Sequence, residues 1–138
     1  MIIWPKHIVS WICALISTDG SIKFRIASDY AKKKYGFNEV INIDICYSAE
    51  KNWIKNIQNI LRNYKIGTSI LTITQKNQWK GNLIYFLCLN KRYPKRKRSG
   101  INQFQVLRDN IEYWNLQNLM MKRKYDSLCK FTSLPSKC

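Results

Sequence analysis

The sequence predicts an α+β domain built around one four-stranded antiparallel sheet. Two pairs of segments show strand-like patterning, and apolar residues with helical spacing lie before, between and after those pairs. The length of 138 residues fits a single domain with a single core, spanning 1–138. The predicted order of elements along the chain is therefore α-β-β-α-β-β-α.

The first part of the chain is predicted to form a helix followed by a hairpin. Residues 7–17 are mostly apolar and form a short helix, with Gly20 as a glycine C-cap. Segments 21–28 and 39–48 both alternate between apolar and polar residues, which is typical of strands that bury one face. On the second strand, the apolar face is predicted to carry Ile41, Ile43, Ile45 and Tyr47, with Cys46 on the polar face.

The remainder of the chain is predicted to repeat this arrangement. Apolar residues at helical spacing indicate a helix over 49–65. Segments 68–76 and 82–90 form the second hairpin, and 91–100 is a basic loop. Helical spacing returns from 101 to 131, as one helix or two. We expect the helices over 49–65 and 101–131 to cover the apolar face of the sheet.

The opposite face of the sheet is predicted to be polar. Such a face suits the major groove of DNA, which admits a β-ribbon and offers hydrogen-bonding groups on the base edges. An ordinary solvated face is the alternative interpretation. The residues expected to bind DNA from this face are Ser21, Lys23, Arg25, Asn42, Asp44, Ser48, Thr68, Thr72, Thr74 and Lys76.

The charge balance indicates a polyanionic partner. Lys and Arg number 24 against 8 Asp and Glu, which gives a formal net charge of +16. Nucleic acid is the first candidate for the partner and a membrane surface the second. The run Lys95, Arg96, Lys97 and Arg98 is expected to clamp the DNA backbone, with a nuclear-localisation patch or a solvated loop as alternatives.

Composition also argues against several classes of protein. The single histidine, His7, argues against histidine-based metal clusters and Ser-His hydrolases. The five cysteines form no C-x-x-C motif and indicate free thiols in a reducing compartment. The apolar segment 8–16 is too short to span a bilayer, and no signal cleavage site follows it. We therefore expect an intracellular protein of the cytoplasm or an organelle that is not secreted.

The first helix and the turn after it carry a recognisable motif. The stretch ICALISTDG over 12–20 resembles the LAGLIDADG motif, in which Leu15, Ile16, Asp19 and Gly20 match directly. Ala14 stands at a position that the motif gives to a small residue. The predicted αββαββα order and the basic charge fit the same family, so the resemblance covers nearly the whole chain. That family contains homing endonucleases of introns and inteins, RNA maturases and some proteins that only bind.

The resemblance implies a sequence-specific endonuclease for double-stranded DNA, encoded within an intron or intein. It would hydrolyse phosphodiester bonds with Mg²⁺ or Mn²⁺ across the minor groove and leave 3′ overhangs, whereas Ca²⁺ would bind without supporting cleavage. The metal site would contain Asp19 and Gly20, and Ser17 replaces the earlier acid of the motif. Lys122 matches a catalytic lysine that relatives often place in the last helix, with Lys124 as second choice.

One motif supplies one carboxylate, whereas two-metal cleavage of a phosphodiester requires at least two carboxylates around the metal ions. We therefore expect a homodimer with two Asp19 side chains together and a pseudo-palindromic DNA target. Small residues on one side of the first helix would let a second helix approach closely. These predicted interface residues are Ser10, Ala14 and Ser17.

The alternatives to a homing endonuclease are a non-catalytic protein of the same fold and a nuclease of another class. A non-catalytic RNA maturase or DNA-binding protein could use the same sheet, and it stays open as the alternative. A PD-(D/E)xK nuclease would use Asp44, Glu50 and Lys51, but no residue separates Glu50 from Lys51, so that spacing fails.

Overall fold

The helices and strands follow the order that the sequence predicts. The computed structural model describes residues 1–26, 39–74, 83–94 and 100–133. The helices are α1 (Lys6–Thr18), α2 (Lys51–Asn63), α3 (Gln103–Tyr113) and α4 (Lys122–Ser133), with a short 3₁₀ helix at Gln117–Leu119. The strands are β1 (Ser21–Ile26), β2 (Glu39–Ser48), β3 (Thr68–Thr74), β4 (Leu83–Leu89), β5 (Arg92–Tyr93) and β6 (Ile101–Asn102). The predicted α+β class is confirmed.

The main sheet has four antiparallel strands in the order β1-β2-β4-β3. Both predicted hairpin pairs, β1 with β2 and β3 with β4, are therefore present, and the pairing of β2 with β4 joins them. A small additional pair joins β5, in the segment predicted as a basic loop, to β6, at the start of the region predicted to be helical. The long helical region at the end of the chain divides into α3 and α4.

Within the described residues, helices cover one face of the sheet and leave the other open. Helix α2 packs on β2, β3 and β4, and α4 packs on β1, as expected for the two predicted helical regions. Helix α1 packs on β2 as well, through a buried stripe that includes Ile8, Ile12 and Ile16. Helix α3 lies against α1 and α4. Helix α1 therefore also covers the apolar face of the sheet, although only the helices over 49–65 and 101–131 were expected to do so.

A β-bulge in β2 changes which residues face the core. Asp44 pairs with Cys88, but Cys46 pairs with Leu87, so one extra residue is inserted between these pairs. Since strand side chains alternate strictly, the insertion reverses the two faces from that point onward. Cys46 is fully buried, and Tyr47 is 46% exposed. The predicted placement of Cys46 on the polar face and Tyr47 on the apolar face is therefore wrong.

The phase of β3 also differs from the prediction. Ile70 pairs with the buried Leu87, so Thr68 and Thr72 share its helix-covered face, while the side chain of Thr74 lies outside the described ones. Thr68 Oγ1 is buried and has no hydrogen-bond partner within the described residues. The expected position of Thr68 and Thr72 on the open face is therefore wrong.

A buried glutamine joins α3 to the ends of β3 and β4. Gln103 is 1% exposed, and its Oε1 accepts a hydrogen bond from Gly67 N at 2.8 Å. Its Nε2 donates to Gly67 O at 2.9 Å and to Asn90 O at 2.7 Å. One side chain therefore satisfies three backbone groups in a place that water reaches poorly.

We expect Gln103→Leu to lower the free energy of unfolding by about 3 kcal/mol, because buried backbone groups would lose their partners. The matched control is Gln105→Leu on the same helix, where the side chain is half-exposed and donates only to Asp109 Oδ1 at 2.9 Å. That control should cost less than about 1 kcal/mol. Equal losses for the two variants in urea unfolding would contradict the structural role of Gln103.

Candidate carboxylate site and nucleic-acid interface

Asp19 is an exposed acid at the C-terminal end of α1. It is the C-cap residue of that helix, and its backbone N–H donates to Leu15 O at 3.0 Å. Within the described residues, its carboxylate takes part in no hydrogen bond or ion pair. Strand β1 begins two residues later, at Ser21. The turn therefore presents a free carboxylate at the point where the helix leads into the sheet.

Gly20 lets the end of α1 rest directly on the backbone of β2. A Cβ at this position would lie 2.6 Å from Ile16 Cα and 2.6 Å from Ile45 O, and it would also clash with Asp44 O. The φ angle of Gly20 is outside the left-handed region, and Asp19 rather than Gly20 is the C-cap residue. The expected glycine C-cap is therefore wrong; the missing side chain is needed for close approach.

Lys124 reaches from α4 to the end of α1. Its side chain is buried, and its Nζ donates to Ile16 O at 2.6 Å, Gly20 O at 2.9 Å and Ser17 O at 3.3 Å. These contacts place a cation on carbonyl groups at the negative end of the helix dipole. Burial lowers the pKa of Lys124 and Arg123 lowers it further, while Asp19 acts in the opposite direction. Lys122, the first choice from sequence, is exposed.

The contact with Lys124 involves the carbonyl group of Gly20, which was predicted to lie in the metal site. Its carbonyl oxygen already accepts from an ammonium group at 2.9 Å, and a divalent cation there would meet a positive charge. Of the two predicted metal-site residues, Asp19 alone presents a free donor. Its carboxylate suits a hard cation such as Mg²⁺. No group of three or more His, Cys, Asp or Glu side chains is placed to hold a metal in the part of the chain that the structure describes.

We expect Lys124→Met to lower the free energy of unfolding by about 2 kcal/mol, because charge-assisted hydrogen bonds to α1 are lost. The same substitution at the exposed Lys122 should change it by less than about 0.5 kcal/mol. Chemical denaturation of both variants compares the two lysines directly. A larger loss for Lys122→Met than for Lys124→Met would contradict this assignment.

The side of α1 turned away from the sheet remains uncovered by the described chain. Residues Trp11, Ala14, Leu15 and Thr18 follow helical spacing on this side; Ala14 and Thr18 are exposed, whereas Trp11 and Leu15 are half-buried and pack in part against the core. Ser17 Oγ donates to Leu119 O at 3.0 Å and accepts from Met121 N at 3.1 Å. These two hydrogen bonds hold the segment from Leu119 to Met121 beside α1. We call the combined surface the α1 outer surface; it consists of Trp11, Ala14, Leu15, Thr18, Leu119 and Met121.

The predicted dimer-interface residues have different positions on that helix. Ala14 is exposed on the α1 outer surface, as the prediction requires. Ser10 is half-exposed, and its hydroxyl donates to Lys6 O at 2.8 Å in the same helix. Ser17 is half-exposed and uses its hydroxyl within the chain. Ala14 is thus the member of the set that is open to close approach by another helix.

A polar row crosses the open face of the sheet near Asp19. Ser21, Asp44, Cys88 and Ser69 are matched in register across the four strands. Asp44 accepts from Ser21 Oγ at 3.3 Å and from Cys88 Sγ at 3.0 Å. Lys23 and Asn42 form the next pair along β1 and β2, and Lys23 is exposed. The structure therefore brings together four of the predicted DNA-binding residues, Ser21, Lys23, Asn42 and Asp44.

Ser48 does not join this group, and the described side chains do not include several other members of the predicted set. Ser48 lies beyond the β-bulge opposite Tyr85, which packs on the core, and its Oγ accepts from Glu50 N at 3.0 Å. Its expected position on the DNA face is wrong. Arg25 pairs with Val40, and its side chain lies outside the described ones. The remaining members of the set lie outside the described residues, namely Lys76, Lys95, Arg96, Lys97 and Arg98.

A small basic cavity lies beside the end of α1, between β1 and α4. Its volume is about 220 Å³, and Lys23, Arg123 and Lys124 contribute to its walls together with Ser21, Ile22 and Ser127. Arg123 was not among the residues predicted to bind DNA. Clustered cationic groups and hydroxyls are the side chains that most often contact phosphate oxygens of nucleic acids.

Apolar side chains occupy the part of the open face beyond the polar row, although the whole face was predicted to be polar. Tyr47, Phe86 and Leu71 are matched across β2, β4 and β3, and Ile84 pairs with Ile73. The rings of Tyr47 and Phe86 lie 5.5 Å apart between centroids. The signal in the sequence was that both alternating sets of 68–74 contain apolar residues, so either set could have faced outward.

No helix in the described ranges is long and apolar enough to cross a membrane. In comparisons with known proteins, no family model, curated protein or solved structure matches this chain.

Proposed function

We propose that this chain is a homodimeric, divalent-metal-dependent endonuclease that cuts double-stranded DNA at a specific pseudo-palindromic site, with a fold of the LAGLIDADG class. One observation carries the proposal. The free carboxylate of Asp19 ends a helix with an uncovered outer surface, and it directly precedes a strand whose open face bears polar and basic side chains.

The α1 outer surface supports the dimer. Ala14 lets a second helix approach closely, while Leu15, Leu119 and Met121 offer apolar area whose burial is favourable. Packing two copies of this surface around a two-fold axis would place two Asp19 carboxylates near that axis. Each chain would then supply half of the acidic ligands for the cleavage site.

The open face of the sheet supports DNA binding. Ser21 and Lys23 follow Asp19 along β1, so they would contact the base edges or phosphates nearest the cut. The formal net charge of +16 draws the chain towards a polyanion such as DNA. Lys23 and Arg123 in the basic cavity would contact the phosphate backbone beside the same position.

The residues around Asp19 have distinct parts in the proposed reaction. A divalent cation at the carboxylates would lower the pKa of the attacking water and neutralise charge that develops on the phosphate. Asp19 supplies the carboxylate, and Lys124 holds the carbonyl groups at the end of α1 in place. Gly20 sets how closely that end approaches β2. Together they fix the acid relative to the DNA-binding face.

The test is cleavage of a plasmid library that carries random duplex inserts. We expect Mg²⁺ to support linearisation of a small set of related, pseudo-palindromic inserts, and chelation or Ca²⁺ to stop the cutting. Recovery of bound but uncut inserts in Mg²⁺ would overturn the nuclease and favour a binding protein. Tight binding to structured RNA with no enriched DNA insert would favour the maturase.

We expect a bulky residue at Ala14 to prevent dimerisation, because Ala14→Trp would hold two α1 helices apart. Ala14 is exposed, so the substitution should leave each chain folded. Light scattering should give the mass of two chains for the wild type and of one for the variant. Ala49→Trp, at an exposed position preceding α2, is the control and should stay dimeric. A wild-type chain that remains monomeric both free and on DNA would contradict the dimer.

A further inference from the structure

The open face of the sheet changes from polar to apolar across the bulge in β2. On the side of β1 it carries Lys23 and Asn42; on the other side, five apolar residues cluster. We call this cluster the apolar half; it consists of Tyr47, Leu71, Ile73, Ile84 and Phe86. The exposed fractions are 46% for Tyr47, 53% for Leu71 and 50% for Ile73, and the other two are half-buried.

The spacing of these side chains matches that of stacked base pairs. Leu71 and Ile73 are alternate residues of one strand, which places them about 6.8 Å apart along it. Base pairs of B-DNA repeat about every 3.4 Å, so the two side chains would face every second base pair. Tyr47 and Phe86 extend the row of Leu71 across the neighbouring strands.

The chemistry of the apolar half limits what it can read. Four of its five side chains are leucine, isoleucine or phenylalanine, which offer no donor or acceptor to phosphates or to the polar groups of base edges; the hydroxyl of Tyr47 is the exception. The apolar group that bases present in the major groove is the C5-methyl of thymine. A second copy of the chain on this face would bring like charges together, because each copy carries the exposed Lys23 there. The charge favours DNA as the occupant.

We infer that the apolar half is a specificity-determining surface that reads thymine methyl groups in each half of the DNA target. This inference rests on the proposed function, because it requires a duplex on the open face of the sheet. The polar row and Lys23 would read hydrogen-bonding groups near the cut, and the apolar half would add a thymine preference on the opposite side of that row.

The test compares thymine with deoxyuridine, which lacks only the methyl group. A target is first selected from a random duplex library by binding, and Kd is then measured for copies with deoxyuridine at single positions. We expect each methyl that the apolar half contacts to weaken binding about fourfold when removed. Leu71→Thr and Ile73→Thr should reduce this effect at distinct positions, because less apolar surface is left to contact the methyl group, and both lie at exposed sites that tolerate a polar residue.

The control is Ile60→Gln, which removes a similarly exposed apolar side chain from α2 and should keep the full methyl dependence.

The inference is overturned if deoxyuridine leaves Kd unchanged, or if the threonine variants lose affinity equally for both duplexes. The inference is also overturned if the chain binds single-stranded RNA more tightly than duplex DNA and Leu71→Thr loses that binding. The apolar half would then stack on unpaired bases. Mg²⁺-dependent cutting without methyl dependence would overturn this inference alone, whereas failure to enrich any duplex would overturn the proposed function as well.

Discussion

Asp19→Asn is expected to abolish DNA cleavage while leaving DNA binding nearly intact. An amide keeps the size of the side chain but removes the negative charge that a hard divalent cation requires. Both copies of the site change together in a homodimer, so we expect a loss of about a thousandfold or more, the upper range for removing a group that stabilises transition-state charge. Binding should survive because most of the affinity comes from the many cationic contacts to phosphates.

The fold should not be affected by this substitution. Asp19 is exposed, and its carboxylate has no hydrogen bond within the described residues that the change would break. Glu50→Gln is the matched control, since Glu50 is also exposed and precedes a helix away from the motif. Gel-shift and cleavage assays on one selected target separate binding from cutting. Cleavage by Asp19→Asn at near the wild-type rate would place the metal site elsewhere.

Gly20→Ala is expected to have the largest effect on folding of any substitution proposed for this chain. The new methyl group would meet Ile45 O at 2.6 Å and would also clash with Asp44 O, and both are backbone atoms of β2. Since neither atom can move without shifting the strand, we expect a loss of about 3 kcal/mol or more, the upper end of overpacking costs. Urea unfolding at equilibrium measures this loss.

The control for that measurement is Gly67→Ala. There the added Cβ would meet Tyr93 Cδ2 at 2.8 Å, which belongs to a side chain that can shift. We therefore expect a smaller loss than at Gly20. If Gly20→Ala unfolded at the same urea concentration as the wild type, the close packing of the motif on β2 would be wrong.

Alternation and helical spacing predicted the elements well, because they reflect which face of each element is buried. Strand β2 was predicted with the bounds that the structure has, Glu39–Ser48. The faces of the strands were harder to predict. The bulge at Asp44 and Cys46 interrupts no alternation in the sequence, and β3 could bury either of its two alternating sets.

The candidate site was predictable where the motif itself carries the residues. Asp19 stands at the end of a helix with an uncovered surface, as the motif implied. The sequence alone could not decide which lysine lies beside the motif, because Lys122 and Lys124 both belong to α4 and differ in the direction in which their side chains point. Packing of α4 against the rest of the fold turns Lys124 inward onto α1. The role of Gly20 depends on the distance to β2, which no local pattern encodes.

The central claim is that two chains each contribute one Asp19 to a shared cleavage site. The most direct measurement mixes wild-type and Asp19→Asn chains, allows them to exchange, and counts all strand breaks, nicked plus linear plasmid, at constant total protein. If the site needs both chains, an equal mixture should retain about one quarter of the wild-type strand breaks, because only dimers of two wild-type chains hold a complete site. Retention of about one half, falling in direct proportion to the wild-type fraction, would show that each chain acts alone and would contradict the claim.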